Sequence, residues 1–228
     1  MTNMKDSILK QLLIVEDDSY SLKYFLSFLG NNKEEFINIL DSMDDSCLYD
    51  SFIHGKNHSE RVLLFSFLLS KYYKLEKREQ MILMDAAWHH DIGRIDDSYD
   101  YFHGERSAKL IDNVIDLNKY TADEINILKA IMTAHSNKDS IMMYIFLNYN
   151  INYTDKNINM YLKLAKILKD ADALDRFRFS EYSMSMLDEK YLRYDYSKEL
   201  MDFSNLINNL YRRYNFKYKS KNCLDRKK

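Results

Sequence analysis

The chain has 228 residues, a formal net charge of −2, 46% hydrophobic residues, two cysteines, four glycines and no proline. That length and apolar content suffice for a sizeable core in one main domain, and the near-neutral charge gives no reason to expect nucleic acid or a membrane as partner. Cys47 and Cys223 are too few and too far apart for a disulfide scaffold or a thiolate metal site, and the scarcity of Gly and Pro removes the turn punctuation of all-β folds.

No export signal is evident at the N-terminus and no stretch approaches the roughly 20 apolar residues that span a bilayer, so a cytoplasmic location is expected. Leu12-Leu13-Ile14-Val15 followed by Glu16-Asp17-Asp18 looks like the first strand and acidic pocket of a receiver domain. The forty or so residues that follow lack the second βα unit such a domain needs. Residues 1–50 are therefore read as a helical segment packed on the main domain.

From His58 the period is helical: His58, Val62, Phe65, Leu69 and Tyr72 draw one stripe, with Arg61 at its edge. A second helix is predicted from about Glu79 to His90, with Ile82, Ala86 and His90 in register and Gly93 as its C-terminal breaker. After a polar loop from Asp96 to Tyr101, helical period returns from Gly104 to Leu117, with His103 at its entrance. Thr121 and Glu124 form a capping-box pattern, so a helix should begin there and carry Leu128, Ile131, Met132 and His135 inward.

The last motif helix is predicted from about Ile158 to Phe177. Tyr161, Ala165, Leu168, Asp172 and Asp175 share its core stripe, whereas Asp170 falls on the polar side with Lys163 and Lys166. Beyond Tyr182 the pattern is helical but less regular, and it ends in a basic stretch from Arg212 to Lys228 read as a solvated, frayed terminus. The expected fold is all-α: a helical core over 51–180, an N-terminal helical segment over 1–50 and a C-terminal helical extension over 181–228.

Ionisable side chains on core-facing stripes are costly to bury unless something compensates them, and a divalent metal does so. His58, His90, Asp91 and Asp172 make a mixed nitrogen and oxygen set suited to Mn²⁺, Fe²⁺, Zn²⁺ or Ni²⁺. Four protein ligands leave an octahedral ion with open positions for water and substrate, as hydrolysis requires. The neighbours His90 and Asp91 can reach one ion only if the helix ends there.

In order, these residues resemble the motifs of the HD superfamily of metal-dependent phosphohydrolases. Asn57-His58-Ser59-Glu60-Arg61-Val62 is similar to its first-histidine helix, Ala86-Ala87-Trp88-His89-His90-Asp91-Ile92-Gly93-Arg94 to the namesake motif, and Asp170-Ala171-Asp172-Ala173-Leu174-Asp175 to the final aspartate motif. The resemblance covers about Phe52 to Phe179. It implies an all-α fold, a divalent metal (Mn, Fe, Ni, Zn or Mg) held by His58, His90, Asp91 and Asp172, and hydrolysis of phosphomonoesters, phosphodiesters or nucleotide phosphates.

The resemblance further implies room for a second ion. His103 and His135 stand where two-metal members carry additional histidines, and Asp91 would bridge the ions. The chain departs from many such members in having Ser136, not a second histidine, after His135. His103 and His135 are therefore also read as binders of substrate phosphate or as general acids near neutral pH.

In the expected mechanism the metal lowers the pKa of the attacking water, and Asp91 holds the metal and orients that water. Arg94 stands where the family usually has Lys and is a candidate phosphate clamp, with Arg61 and Arg106 as weaker candidates. Removing one such contact typically costs about 2.7 to 4 kcal/mol of barrier. His54 and His89 are read as supporting or surface residues, and Asp175 as an ion-pair partner of Arg178 in preference to a place behind the site.

The expected function is a cytoplasmic metal-dependent phosphohydrolase acting on a nucleotide or another small phosphorylated molecule, with no membrane or nucleic-acid partner and an open oligomeric state. A metal-binding regulatory module without turnover and a di-iron oxygenase on the same fold are the alternatives.

Overall fold

At the centre lies a helix with no solvent face, α4 (Lys56–Tyr72), buried at every position from His58 to Ser70. Its run of Leu and Phe is apolar on all sides, and the Ser70 hydroxyl is satisfied locally, donating to the Phe67 carbonyl at 2.7 Å. Such a helix must be covered all round. The expected single stripe therefore falls short, and its last member, Tyr72, is exposed and stacked on Tyr196 with ring centroids 3.7 Å apart.

The structure is a computed structural model and describes residues 7–14, 19–182 and 187–225. On one side of α4 pack α5 (Lys77–His89) and α9 (Asp155–Leu174). Next to these come α7 (Ala122–His135), α6 (His103–Leu110) and α8 (Met142–Asn148), with α6 lying on α7. The rest of α4 is covered by α1 (Ile8–Ile14), α3 (Lys33–Ser42) and α10 (Asp195–Glu199), joined by α2 (Tyr20–Leu29) and α11 (Met201–Asp225). Among the described residues there is no strand, and no helix is long and apolar enough to cross a membrane.

Leu12 to Ile14 belong to a helix, with Leu9, Leu12 and Leu13 fully buried, so the receiver-like strand is not formed; Val15 and the acidic Glu16-Asp17-Asp18 lie outside the described residues. Both chain ends are tied to α4 through the buried Glu60, whose Oε2 accepts from the Leu9 backbone N–H at 3.2 Å and from the Tyr211 hydroxyl at 2.7 Å. Burial pushes the Glu60 carboxyl up from its ordinary value. Phe203 of α11 stacks on Phe28 of α2 with centroids 4.2 Å apart, sealing the same side.

Local chemistry explains where the helices start and stop. The Thr121 and Glu124 capping box forms as expected and opens α7, and Glu76 with Glu79 makes a second box at the start of α5. α9 starts earlier than its apolar period indicated because Thr154 caps it, its hydroxyl accepting from the Asn157 N–H at 3.2 Å. α6 stops at Leu110 and continues only as a short 3-10 turn, Ile111–Asn113; beyond it the Asp116 side chain takes the Asn118 N–H at 3.1 Å and opens a separate turn, Leu117–Lys119. The last three residues of the basic stretch from Arg212 to Lys228 lie outside the described residues.

Candidate metal centre

Six side chains reach one region from helix ends and helix stripes. His58 comes from the first turns of α4, His90 from the C-cap of α5 and Asp91 from the turn beyond it. His103 opens α6, His135 closes α7 and Asp172 lies in the last turn of α9. Because α5 ends at His89, the neighbours His90 and Asp91 are both free to turn inward.

Gly93 contributes differently from the expected breaker. Its φ is not positive; a Cβ on it would lie 2.3 Å from the Ser107 backbone nitrogen, so its role is to let α6 come against the end of α5. Gly104 does the same between α6 and α7, where a Cβ would lie 2.4 Å from the Met132 carbonyl oxygen. These two contacts draw His103 and His135 together.

The resulting distances fall into two groups that share Asp91. His58 Nε2 is 3.0 Å from His90 Nε2, 3.3 Å from Asp172 Oδ1 and 3.5 Å from Asp91 Oδ2, and His90 Nε2 is 3.6 Å from the same Asp91 oxygen. Asp91 Oδ1 faces the other way, 3.1 Å from His103 Nε2 and 3.6 Å from His135 Nε2, and those two nitrogens are 2.7 Å apart.

The outer ring nitrogens fix the tautomers. Nδ1 of His90, His103 and His135 contacts the carbonyls of Ala87 at 2.8 Å, Asp100 at 2.5 Å and Met132 at 2.5 Å, and His58 Nδ1 contacts Asp175 Oδ2 at 2.7 Å. Carbonyls and carboxylates only accept, so each Nδ1 carries a proton and Nε2 is the nitrogen each ring turns to the centre. Burial pushes the His90 imidazole down to about 3 and also lowers His135, which keeps both neutral. The lone pairs of the neutral His90 and His135 thus face a second Nε2 at 3.0 and 2.7 Å, an arrangement that a cation between each pair would satisfy.

The donor set fits a divalent ion. Ligand bonds of about 2.1 Å place adjacent ligand atoms roughly 3.0 to 3.4 Å apart. The ligand atoms of His58, His90 and Asp172 lie within 4.8 Å of one another, as do those of His90, Asp91 and His135. Asp91 Oδ1 is buried with no hydrogen-bond partner among the described residues, an orphaned acceptor that an ion would satisfy. Burial works against the charges of Asp91 and Asp172, but the surrounding imidazoles outweigh it and hold both carboxyls well below the usual range. Asp172 keeps an open side, with 32% of its side-chain surface accessible.

A second layer holds this first one, and the sequence reading largely missed it. Asp175 is fully buried and accepts from Arg61 Nε at 2.5 Å and Nη2 at 3.0 Å and from Asn208 Nδ2 at 3.2 Å, besides meeting His58. Its contact with Arg178, the pair expected from spacing, is the longest of these at 3.5 Å. Asp175 therefore stands behind the site, and Arg61, consumed by it and buried, is not placed to clamp phosphate. Arg106 is likewise occupied, donating to the Gly93 carbonyl at 2.8 Å and pairing with Asp100.

Asp170 is not on a polar face. It is fully buried and accepts from the backbone N–H groups of Arg193 and Tyr194 at 2.9 and 3.0 Å, because the segment leading into α10 covers that side of α9. Lys169, unremarked in the sequence, is buried and donates to the Ala134 carbonyl at 2.9 Å, fixing the end of α7 beside His135. His54 and His89 are both buried supporting residues, His54 Nδ1 lying 2.9 Å from Asp97 and His89 Nδ1 2.8 Å from the Asp85 carbonyl. Arg94 lies at the centre itself, its Nε 3.0 Å from Asp91 Oδ2 and an Nη 3.5 Å from His103 Nε2.

A family model described as HD domain matches residues 55–176, more than half of the chain, and that span holds all six converging residues. No match was found among curated proteins or among solved structures.

Proposed function

The chain belongs to the HD-domain family of metal-dependent phosphohydrolases, and on that premise we propose that it cleaves a phosphate ester or anhydride of a nucleotide or small phosphorylated metabolite. The observation that carries this reading is the convergence of four imidazole Nε2 atoms whose outer nitrogens are all committed to acceptors. His58, His90, Asp91 and Asp172 would hold the first divalent ion, and Asp91 with His103 and His135 offers a second position. Bound there, Mn, Fe, Ni, Zn or Mg polarises a phosphoryl oxygen and lowers the pKa of a water towards neutrality.

The chain's own residues do the positioning. Asp91, between the two groups of ligand atoms, would hold the metal and orient the attacking water, and Asp172 is open on one side to the approach of substrate. His135 is buried and kept neutral, and the Nδ1 protons of His103 and His135 are taken by backbone carbonyls. A neutral His135 has no proton to offer a leaving group, which favours a ligand role over a general-acid role for that ring. Arg94 is the counter-charge at Asp91 that turns to a phosphoryl oxygen.

Residues 51–180 would form the catalytic core, buttressed by 1–50 and by the C-terminal extension 181–228. The reading places the protein in the cytoplasm with a small phosphorylated substrate and neither membrane nor nucleic acid as partner. It is tested by phosphate release from nucleotides, dinucleoside polyphosphates, monoesters and diesters with Mn²⁺, Fe²⁺, Ni²⁺, Zn²⁺ or Mg²⁺ added in turn. Metal-dependent release from at least one class is the expected result; metal-loaded, folded protein that releases none would overturn it.

A further inference from the structure

Arg178 lies one turn past Asp175 in the 3-10 turn Asp175–Tyr182, two residues beyond the matched family region. Its side chain is 10% exposed, and a guanidinium so buried is costly unless it is well paired. Its ion pair is long, 3.5 Å from Nη1 to Asp175 Oδ2, an oxygen that already meets His58 at 2.7 Å and Arg61 at 3.0 Å. Its Nε is buried with no hydrogen-bond partner among the described residues. The guanidinium sits over the Phe179 ring, 4.2 Å from the centroid, which holds it without using an N–H donor.

Arg94 has the same character. Its side chain is also 10% exposed, and its Nε, though 3.0 Å from Asp91 Oδ2, makes no hydrogen bond among the described residues. Asp91 and Asp172, the carboxylates of the candidate centre, both act on the charge of Arg178. Before any metal binds, Arg61, Arg94 and Arg178 balance Asp91, Asp172 and Asp175. Each divalent ion then leaves a surplus of two positive charges beside two buried guanidiniums, each with an Nε that has no hydrogen-bond partner among the described residues. A dianion with several acceptor oxygens answers both deficits.

We propose that Arg178 and Arg94 form a phosphoryl clamp at the metal centre for a terminal, dianionic phosphate, so that the substrate is a phosphomonoester or a chain-end phosphate of a polyphosphate, not an internal phosphodiester. The substrate class rests on the phosphohydrolase reading, but the clamp is testable without turnover. Inorganic phosphate and dimethyl phosphate, a monoanion, are titrated calorimetrically into manganese-loaded protein, wild type, Arg178→Gln and Arg178→Lys. Phosphate should bind at least about tenfold tighter than dimethyl phosphate, with a matching loss in Arg178→Gln and a several-fold loss in Arg178→Lys, which lacks the forked donors.

Manganese affinity and thermal midpoint should change little in either variant. Equal binding of the two probes, or wild-type phosphate affinity in Arg178→Gln, would overturn the clamp. So would a fall in manganese affinity that accounts for the lost phosphate binding, since Arg178 would then act through Asp175. If Arg178→Gln does not fold, Arg178→Lys decides alone, and wild-type phosphate affinity in it would overturn the proposal. Intact phosphate binding without turnover on any substrate would contradict the hydrolase reading while leaving the clamp standing.

Discussion

His58 Nδ1 lies 2.7 Å from Asp175 Oδ2, across 117 residues of sequence. That contact decides which nitrogen of the imidazole turns to the candidate metal centre, and it joins that centre to α11 through Asn208, which donates to the same carboxylate at 3.2 Å. Asp175→Asn keeps the shape and can still accept from His58, but it leaves the buried Arg61 without its balancing charge. The expected loss is about 3 to 5 kcal/mol of stability, and metal affinity should fall about 10- to 100-fold. Denaturant unfolding and metal titration read the two effects separately; unchanged metal affinity would remove Asp175 from the site.

Gly104→Ala tests the packing that brings the second pair of histidines together. A Cβ at this position would lie 2.4 Å from the Met132 carbonyl and 3.1 Å from His135 Cε1, so α6 must move away from α7. Overpacking of this kind costs about 1 to 3 kcal/mol. Metal titration should lose the weaker of two binding events, or, where one ion binds, lose affinity while His58, His90 and Asp172 keep their mutual contacts.

Removal of metal should destabilise the fold as well as silence it. The buried Asp91 Oδ1 has no hydrogen-bond partner among the described residues, and the Nε2 atoms of His103 and His135 face each other at 2.7 Å. A ligand at 100 times its dissociation constant contributes about 2.7 kcal/mol to the native state. Chelator should lower the thermal midpoint by several degrees and added Mn²⁺ or Ni²⁺ should restore it. A midpoint indifferent to both would count against a metal at this centre.

Acid should weaken the start of α7. Arg78, bonded to the Glu124 carboxylate, brings it down to about 2 from an ordinary 4.5, with Thr121 adding to the effect and burial opposing it. The folded pKa lies below the unfolded one, so this contribution is complete above about 4.5 and is lost as pH falls from there through about 2. Glu124→Gln should therefore be less stable than wild type at neutral pH, with the gap closing towards pH 2. A gap that stays constant with pH would assign the loss to the capping geometry alone.

The positions of the converging side chains were legible in the sequence because local rules govern them: His90 and Asp91 sit where a helix ends, and Thr121 with Glu124 sets the start of the helix that delivers His135. The supporting layer was not, because spacing sees only neighbours on one helix. From Asp175 the nearest basic residue in register is Arg178, yet its closest contacts are His58 and Arg61, from another helix. Periodicity correctly set Asp170 and Asp172 on different faces of α9 but took the face of Asp170 to be solvated, when the segment before α10 covers it. Gly93 looked like a breaker because close approach to Ser107 is a tertiary fact with no local signature.

Asp91 is the one residue whose two oxygens face both groups of ligand atoms, so Asp91→Asn is the most direct test of the central claim. Wild type and variant are loaded with the same divalent metal, and bound metal and phosphate release are measured on the same samples. Wild type should bind metal and release phosphate, while Asp91→Asn, folded and with its imidazoles intact, should bind metal weakly and release none. Turnover in the variant equal to wild type, or turnover in metal-free wild type, would contradict a metal-dependent hydrolase at this centre.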